Sequence, residues 1–154
     1  MSMQFLASVY PGRALTLDEL PGWAFGMLEA GRVARLAYLD DRDWPRALPV
    51  TYALCDGFVW SAIDDKPKAS AEPARLRYLR RRPQAALVVD VYDDDWSRLA
   101  WVQLLGRVEV VEVAGAASAM DALAAKYEAY ASKRPPGPLL RLGPERALSW
   151  RAEP

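Results

Sequence analysis

Two lysines, one arginine and a tryptophan–arginine turn are the residues of this chain best suited to hold a charged, flat ligand. Lys66 and Lys68 lie in Asp64-Asp65-Lys66-Pro67-Lys68, directly after an apolar segment and just before a helix-like one. Lysine charge, loop amides and a helix start that converge on one point make a phosphate seat. Arg75 follows close by, and Ser61, ahead of the loop, offers a hydroxyl to the same anion. Further on, Asp93-Asp94-Asp95-Trp96-Ser97-Arg98 supplies an aromatic face at Trp96 and a permanent cation at Arg98, groups able to flank a planar ring. The chemistry these residues point to is binding of a phosphorylated planar cofactor.

Each feature also has a plainer reading. A Lys-Pro-Lys turn is commonly a solvated loop. The five arginines between Arg75 and Arg82 suit a nucleic acid or a polyanionic tail, but equally a solvated helix face that pairs with Asp90, Asp93, Asp94 and Asp95. The acidic turn lacks the glycine and terminal glutamate of a calcium loop, so its carboxylates are expected to cap amides or to pair with Arg98. Cys55 reads as a small apolar residue buried in a strand.

The absence of histidine removes the usual general base and the commonest metal ligand, and excludes a Ser-His-Asp triad. The single cysteine excludes an internal disulfide and fits a reducing compartment. A formal net charge of zero gives no field to attract nucleic acid. No stretch reaches membrane-spanning length, and the first residues lack a basic region followed by an apolar core. The expectation is a cytoplasmic protein of one domain, residues 1–154, with neither nucleic acid nor membrane as partner.

The elements that must position these residues follow from periodicity and turn chemistry. A capping pair, Thr16 and Glu19, predicts a helix over 16–30 that stops at Gly31. Strands are expected over 32–40, 46–55 and 58–63, with Asp56-Gly57 as the hairpin turn between the last two. A helix over 71–82 ends at Pro83, and 84–92 reads as a central strand covered on both faces. Residues 98–113 form a long strand in which Gly106 marks a bulge or bend. An amphipathic helix covers 115–131, and short closing strands lie at 139–142 and 147–150. About six strands in hairpins with three peripheral helices predict a small antiparallel barrel of α+β type.

Five blocks carry a further likeness: Arg32-Val33-Ala34-Arg35-Leu36-Ala37, Leu48-Pro49-Val50-Thr51-Tyr52-Ala53-Leu54, the Asp64 to Lys68 loop, Arg75-Leu76-Arg77, and Asp94-Asp95-Trp96-Ser97-Arg98-Leu99-Ala100-Trp101-Val102. In order and content they resemble the pyridoxamine 5'-phosphate oxidase-like flavin and deazaflavin oxidoreductases, above all their small F-420-dependent branch. The resemblance spans roughly residues 28–150 and implies a split β-barrel that dimerises, with the cofactor in a groove between protomers. It implies that Pro49, Val50 and Thr51 line the ring with backbone groups and that Ser61, Ala62 and Ile63 run beside the cofactor chain. Lys66 and Lys68 would hold the phosphate, and Trp96 and Arg98 would come from the partner subunit. Val91 stands where the family usually has histidine, and Asp43-Trp44-Pro45-Arg46 replaces its usual turn. These departures bear on the substrate pocket. The implied activity is hydride transfer from reduced F-420 to a small electron-poor acceptor, with protonation by solvent or by a tyrosine, Tyr52 or Tyr92. An FMN-dependent enzyme and a non-catalytic carrier of the same fold stand as alternatives.

Overall fold

The computed structural model describes residues 16–63 and 72–153. Within them seven strands form one antiparallel sheet: β1 (Ala34–Leu39), β2 (Pro45–Val50), β3 (Ala53–Cys55), β4 (Phe58–Ala62), β5 (Gln84–Val91), β6 (Ala100–Val111) and β7 (Leu139–Arg151). Four helices accompany them: α1 (Gly22–Ala30), α2 (Ala74–Arg81), α3 (Ala117–Lys126) and α4 (Glu128–Ser132).

Strand order across the sheet is β2-β1-β5-β6-β7-β4-β3, so its two edges are joined by Thr51 and Tyr52 alone. At about 4.8 Å per strand, two residues cannot cross a flat sheet of that width. The sheet therefore curls until its edges meet. Its register carries the stagger that closure requires. The row from Pro49 through Arg35, Val88 and Gln103 reaches Leu148 on β7. Ser61, which hydrogen-bonds Thr51, pairs instead with Leu140 near the start of the same strand. The α+β barrel expected from the sequence is present, split between β2 and β3.

Five expected elements are subdivided or merged, each for a local reason. The capped turn at Thr16 forms, with Thr16 N donating to Glu19 Oε1 at 3.3 Å, but it is a short 3-10 turn, Leu17–Glu19. Leu20 precedes a proline and takes an extended conformation, so α1 begins afresh after Pro21. The strand expected over 46–55 breaks at Thr51-Tyr52, where the chain crosses from one edge to the other. The two closing strands are one, β7, kept continuous by a bulge: Leu105 pairs with Arg146 but Gly106 with Pro144, leaving Glu145 unpaired. A Cβ on Gly106 would collide with the Gly143 carbonyl, which is why glycine stands there. The helix expected over 115–131 breaks at Tyr127, whose extended backbone separates α3 from α4.

Inside the barrel, Leu36, Val50, Val59, Leu87, Val108, Leu140 and Leu142 close with Ser61 around a residual space of only about 10 Å³. α1 and α2 add Ala24, Leu28, Leu76 and Leu79 to the same core. Each leucine so buried contributes roughly 1.5–3 kcal/mol. The barrel is filled, and any ligand must lie outside it. A second cluster seats Ala119, Met120, Leu123, Tyr127 and Tyr130 of the α3–α4 unit on Ala53, Trp60 and Ala62 of β3 and β4. β5 departs from expectation: Leu87 and Val89 are buried, but Ala86 and Val88 on its other face are only half covered.

Candidate functional site

Thr51 and Tyr52 leave the ladder at one edge before rejoining it at the other, so their polar groups need partners outside the sheet. Side chains supply them. Ser61 Oγ donates to the Thr51 carbonyl at 2.7 Å. The Tyr127 hydroxyl accepts from Tyr52 N–H at 3.1 Å and donates to the Arg32 carbonyl at 2.9 Å or the Tyr52 carbonyl at 3.0 Å. Thr51 Oγ1 and the Tyr130 hydroxyl share a hydrogen bond of 2.7 Å. Tyr52 is fully buried, and its hydroxyl donates to the Leu28 carbonyl at 2.5 Å. A Cβ on Gly31 would collide with that hydroxyl, so the glycine after α1 is what lets the ring in. Burial pushes the Tyr52 and Tyr127 phenols above their ordinary range. Both therefore act as neutral hydrogen-bonding groups, and Tyr52 is too enclosed to serve as the proton donor suggested by the sequence.

The last residue of α3 adds a charge. Lys126 Nζ lies 3.8 Å from the centroid of the Tyr52 ring and 5.5 Å from that of Tyr127. It is buried and has no hydrogen-bond acceptor. Burial first, and the Arg32 guanidinium second, bring its pKa down to about 8. Arg32 stacks 4.7 Å from the Tyr127 ring and donates to the Lys126 carbonyl at 2.8 Å. Among the described residues, only Arg75 Nε and Lys126 Nζ are buried side-chain polar atoms without a hydrogen-bond partner. Both are cationic.

Similar architectures occur among solved structures. A conserved hypothetical protein from Mycobacterium tuberculosis aligns over 98% of this chain and 85% of its own, at 19% identity and a TM-score of 0.60. An FAD-binding protein from Mesorhizobium loti aligns over 84% and 94%, at 20% identity and a TM-score of 0.62. An F-420 reductase aligns over 83% and 98%, at 17% identity and a TM-score of 0.61. The chain has the split β-barrel fold that these solved structures share. No family model and no curated protein matches the sequence.

On this split barrel the sequence-predicted residues fall into three groups. Pro49, Val50, Thr51, Ser61, Ala62 and Ile63 meet at the crossover. Val50, Ser61, Ala62 and Ile63 are buried, Thr51 is half-buried and Pro49 is exposed. Lys66 and Lys68 lie outside the described residues, while Arg75 stands half-buried in the first turn of α2. Trp96 and Arg98 occupy a 3-10 turn between β5 and β6 and are 68% and, for the side chain, 71% exposed. β5 and β2 run in the same direction on either side of β1, so this turn leaves the barrel at the end where β2 runs into Thr51.

The acidic turn behaves as expected. Asp93 accepts from Asp95 N–H at 2.8 Å, and Asp95 accepts from the Ser97 amide and hydroxyl at 3.1 and 2.7 Å. Those Ser97 bonds, the hydroxyl first, hold the Asp95 carboxyl below its ordinary range. Arg98 lies 3.6 Å from Asp93 and 3.8 Å from Asp95. The α2 arginines do not pair with this turn. Arg80 bonds Glu72 at 2.6 Å and Arg82 bonds Asp43, while Asp90 is taken by Arg35, because α2 lies along β1 and its hairpin loop. Cys55 is half-exposed at the end of β3 rather than buried, with its thiol directed at Asp56. Among the described residues no acidic or cysteine cluster could hold a metal, and no helix is long and apolar enough to cross a membrane.

Lys126, Tyr127 and Tyr130 are the site residues that sequence reasoning missed. Helical spacing reads Tyr127 as part of an apolar stripe. Two tyrosines beside a lysine at a helix end were the available signal.

Proposed function

We propose that this split barrel is a homodimeric oxidoreductase that uses F-420 to pass a hydride to a small, electron-poor organic acceptor. The observation that carries the reading is the pair of buried cationic nitrogens, Arg75 Nε and Lys126 Nζ, left without acceptors in a chain of zero net charge. Buried charge without a partner is costly unless an anion completes it. The phosphorylated deazaflavin is such an anion, and the structural likeness to an F-420 reductase supports it. Likeness to FAD-binding proteins favours FMN as the second reading, with a non-catalytic carrier as the third.

When bound, the deazaflavin supplies the hydride chemistry. The chain's own part is to hold and orient. Pro49, Val50 and Thr51 offer backbone to the ring, with Ser61, Ala62 and Ile63 beside the cofactor chain. Lys66, Lys68 and Arg75 take the phosphate, and Trp96 and Arg98 of the second protomer cover the ring. With Tyr52 committed to Leu28, Tyr92, 70% exposed at the end of β5, is the tyrosine left to deliver a proton. The dimer is supported by the outer sheet face, where Ala37, Ala86, Val88, Leu105, Trp101 and Trp150 are half-buried and form an apolar surface suited to a second copy. The free cysteine suits the cytoplasm.

Absorbance of the purified protein, followed by calorimetric titration with F-420 and FMN, tests the assignment. Binding of F-420 in preference to FMN is expected. Tight FMN binding with none for F-420 would transfer the reading to the flavin, and binding of neither would remove it.

A further inference from the structure

We infer that Lys126 is a positioning residue of this site: its ammonium, locked against Tyr52 by the α3–α4 corner, supplies positive charge to the crossover for an anionic ligand. The inference deepens the proposed function and rests on it.

Where the ammonium lies is the first argument. The stem of Lys126 borders an open cleft of about 340 Å³ that Glu29 also lines, together with Ala53, Leu54, Ala122 and Ala125. A lysine serving stability alone would reach into that cleft, toward water or the Glu29 carboxylate. Its Nζ is instead buried against the face of Tyr52, with no acceptor, on the side that carries a second cation, Arg32. The charged and titratable groups around it are Glu29 from α1, Arg32 ahead of β1, Tyr52 in the crossover and Tyr127 at its own helix end. Tyrosine faces attract a cation, but they satisfy none of its three N–H donors as a carboxylate would.

The second argument is the corner's grip on Thr51 and Tyr52. Tyr127 holds both backbone groups of Tyr52, and Tyr130 holds the Thr51 hydroxyl. A charge fixed to these residues is fixed relative to Val50 and Thr51. The geometry favours the ligand at some cost to the fold, a combination that separates a binding role from a structural one.

The test uses the full-length protein with Lys126→Met, which keeps the stem and removes the charge, and Lys126→Arg, which keeps a charge that does not titrate. F-420 and FMN are titrated calorimetrically at pH 7.0 and 9.5, above the second phosphate pKa of about 6, so the ligand phosphate is largely ionised at both. One charge acting across a partly solvated site is worth about ten-fold in affinity. Lys126→Met should therefore bind the preferred cofactor about ten-fold more weakly at pH 7 while melting no lower than the unsubstituted protein. Lys126→Arg should bind as the unsubstituted protein does. The unsubstituted protein should lose affinity as pH rises through the lysine's titration, and neither variant should. Unchanged affinity in Lys126→Met overturns the inference and leaves the proposed function standing. Equal weakening in both variants, with lowered melting temperatures, assigns Lys126 to packing and also overturns it. Failure of the unsubstituted protein to bind either cofactor overturns the proposed function and this inference with it.

Discussion

Tyr127→Phe removes one oxygen atom from the crossover and nothing else, which makes its consequence calculable. The hydroxyl is the partner of the Tyr52 N–H and of a carbonyl of Arg32 or Tyr52, and Tyr52 is fully buried. Phenylalanine fills the same ring volume, so no cavity term enters. The Tyr52 amide is left buried without an acceptor, at a cost of about 1–3 kcal/mol. The released carbonyl keeps access to water on the Arg32 side, so the loss should fall near the middle of that range. For a chain of this size each kcal/mol shifts the melting temperature by roughly 2–4 °C, so a drop of about 4–8 °C is expected. Calorimetric melting of Tyr127→Phe beside Tyr92→Phe isolates the effect, because Tyr92 is largely exposed and its substitution should change stability by less than about 0.5 kcal/mol. Hydrogen exchange at the Tyr52 amide should accelerate in the first variant only. If Tyr127→Phe melts with the unsubstituted protein and the amide stays protected, the crossover is not held by side chains as described.

Gly106→Ala should destabilise by about 1–3 kcal/mol, the usual range for forced overpacking, since the new methyl meets the Gly143 backbone; urea denaturation reads this, and a midpoint equal to the parent's would mean that the bulge relaxes freely. Lys126 has a folded pKa of about 8 against an ordinary 10.5, so between those values the unfolded chain holds more protons and stability rises with pH. Melting curves from pH 7 to 10.5 should show the unsubstituted protein gaining on Lys126→Met across that window, and parallel curves would contradict it. Light scattering should return twice the 17.1 kDa chain mass; a monomer at micromolar concentration would remove the intersubunit site. If Arg98 serves the partner's cofactor, mixing Lys68→Ala with Arg98→Ala protein should restore binding, because one site in each heterodimer escapes both changes. Confirmed heterodimers without recovery would return Arg98 to its acidic turn.

Local chemistry was legible in the sequence, and placement was not. Asp56 and Gly57 both take positive φ, 53° and 79°, as a two-residue hairpin turn requires, and Gly106 announced its bulge. Both signals depend on a few neighbouring residues. The break at Thr51-Tyr52 depends on which strands lie at the edges of the sheet, and pairing between residues far apart in the chain decides that. The same holds for Tyr127. Its side chain fits a helix pattern, yet its backbone leaves the helix because its hydroxyl is needed at Tyr52. Lys126 escaped notice for a related reason: a lysine at a helix end is ordinarily solvated and favoured by the helix dipole, and only the packed structure reveals that its ammonium is enclosed. The arginines at α2 pair with Glu72 and Asp43 instead of the later aspartates because the helix lies against the β1–β2 loop, which brings Asp43 to Arg82 and leaves Arg80 its near neighbour Glu72.

The split leaves β2 and β3 as two edges in a protein that must avoid aggregating through them. Unprotected edges recruit foreign strands into amyloid-like stacks. β2 carries Pro45 and Pro49, residues with no amide hydrogen to offer an incoming chain. β3 is only three residues long and lies beneath α3. Neither edge is a usable template. Open-ended strand addition between copies is thereby disfavoured, and the proposed two-fold pairing through the sheet's face would close on itself and stop. The prolines of β2 thus act as solubility gatekeepers, and replacing both with threonine should leave the barrel able to form while making concentrated solutions prone to fibrillation.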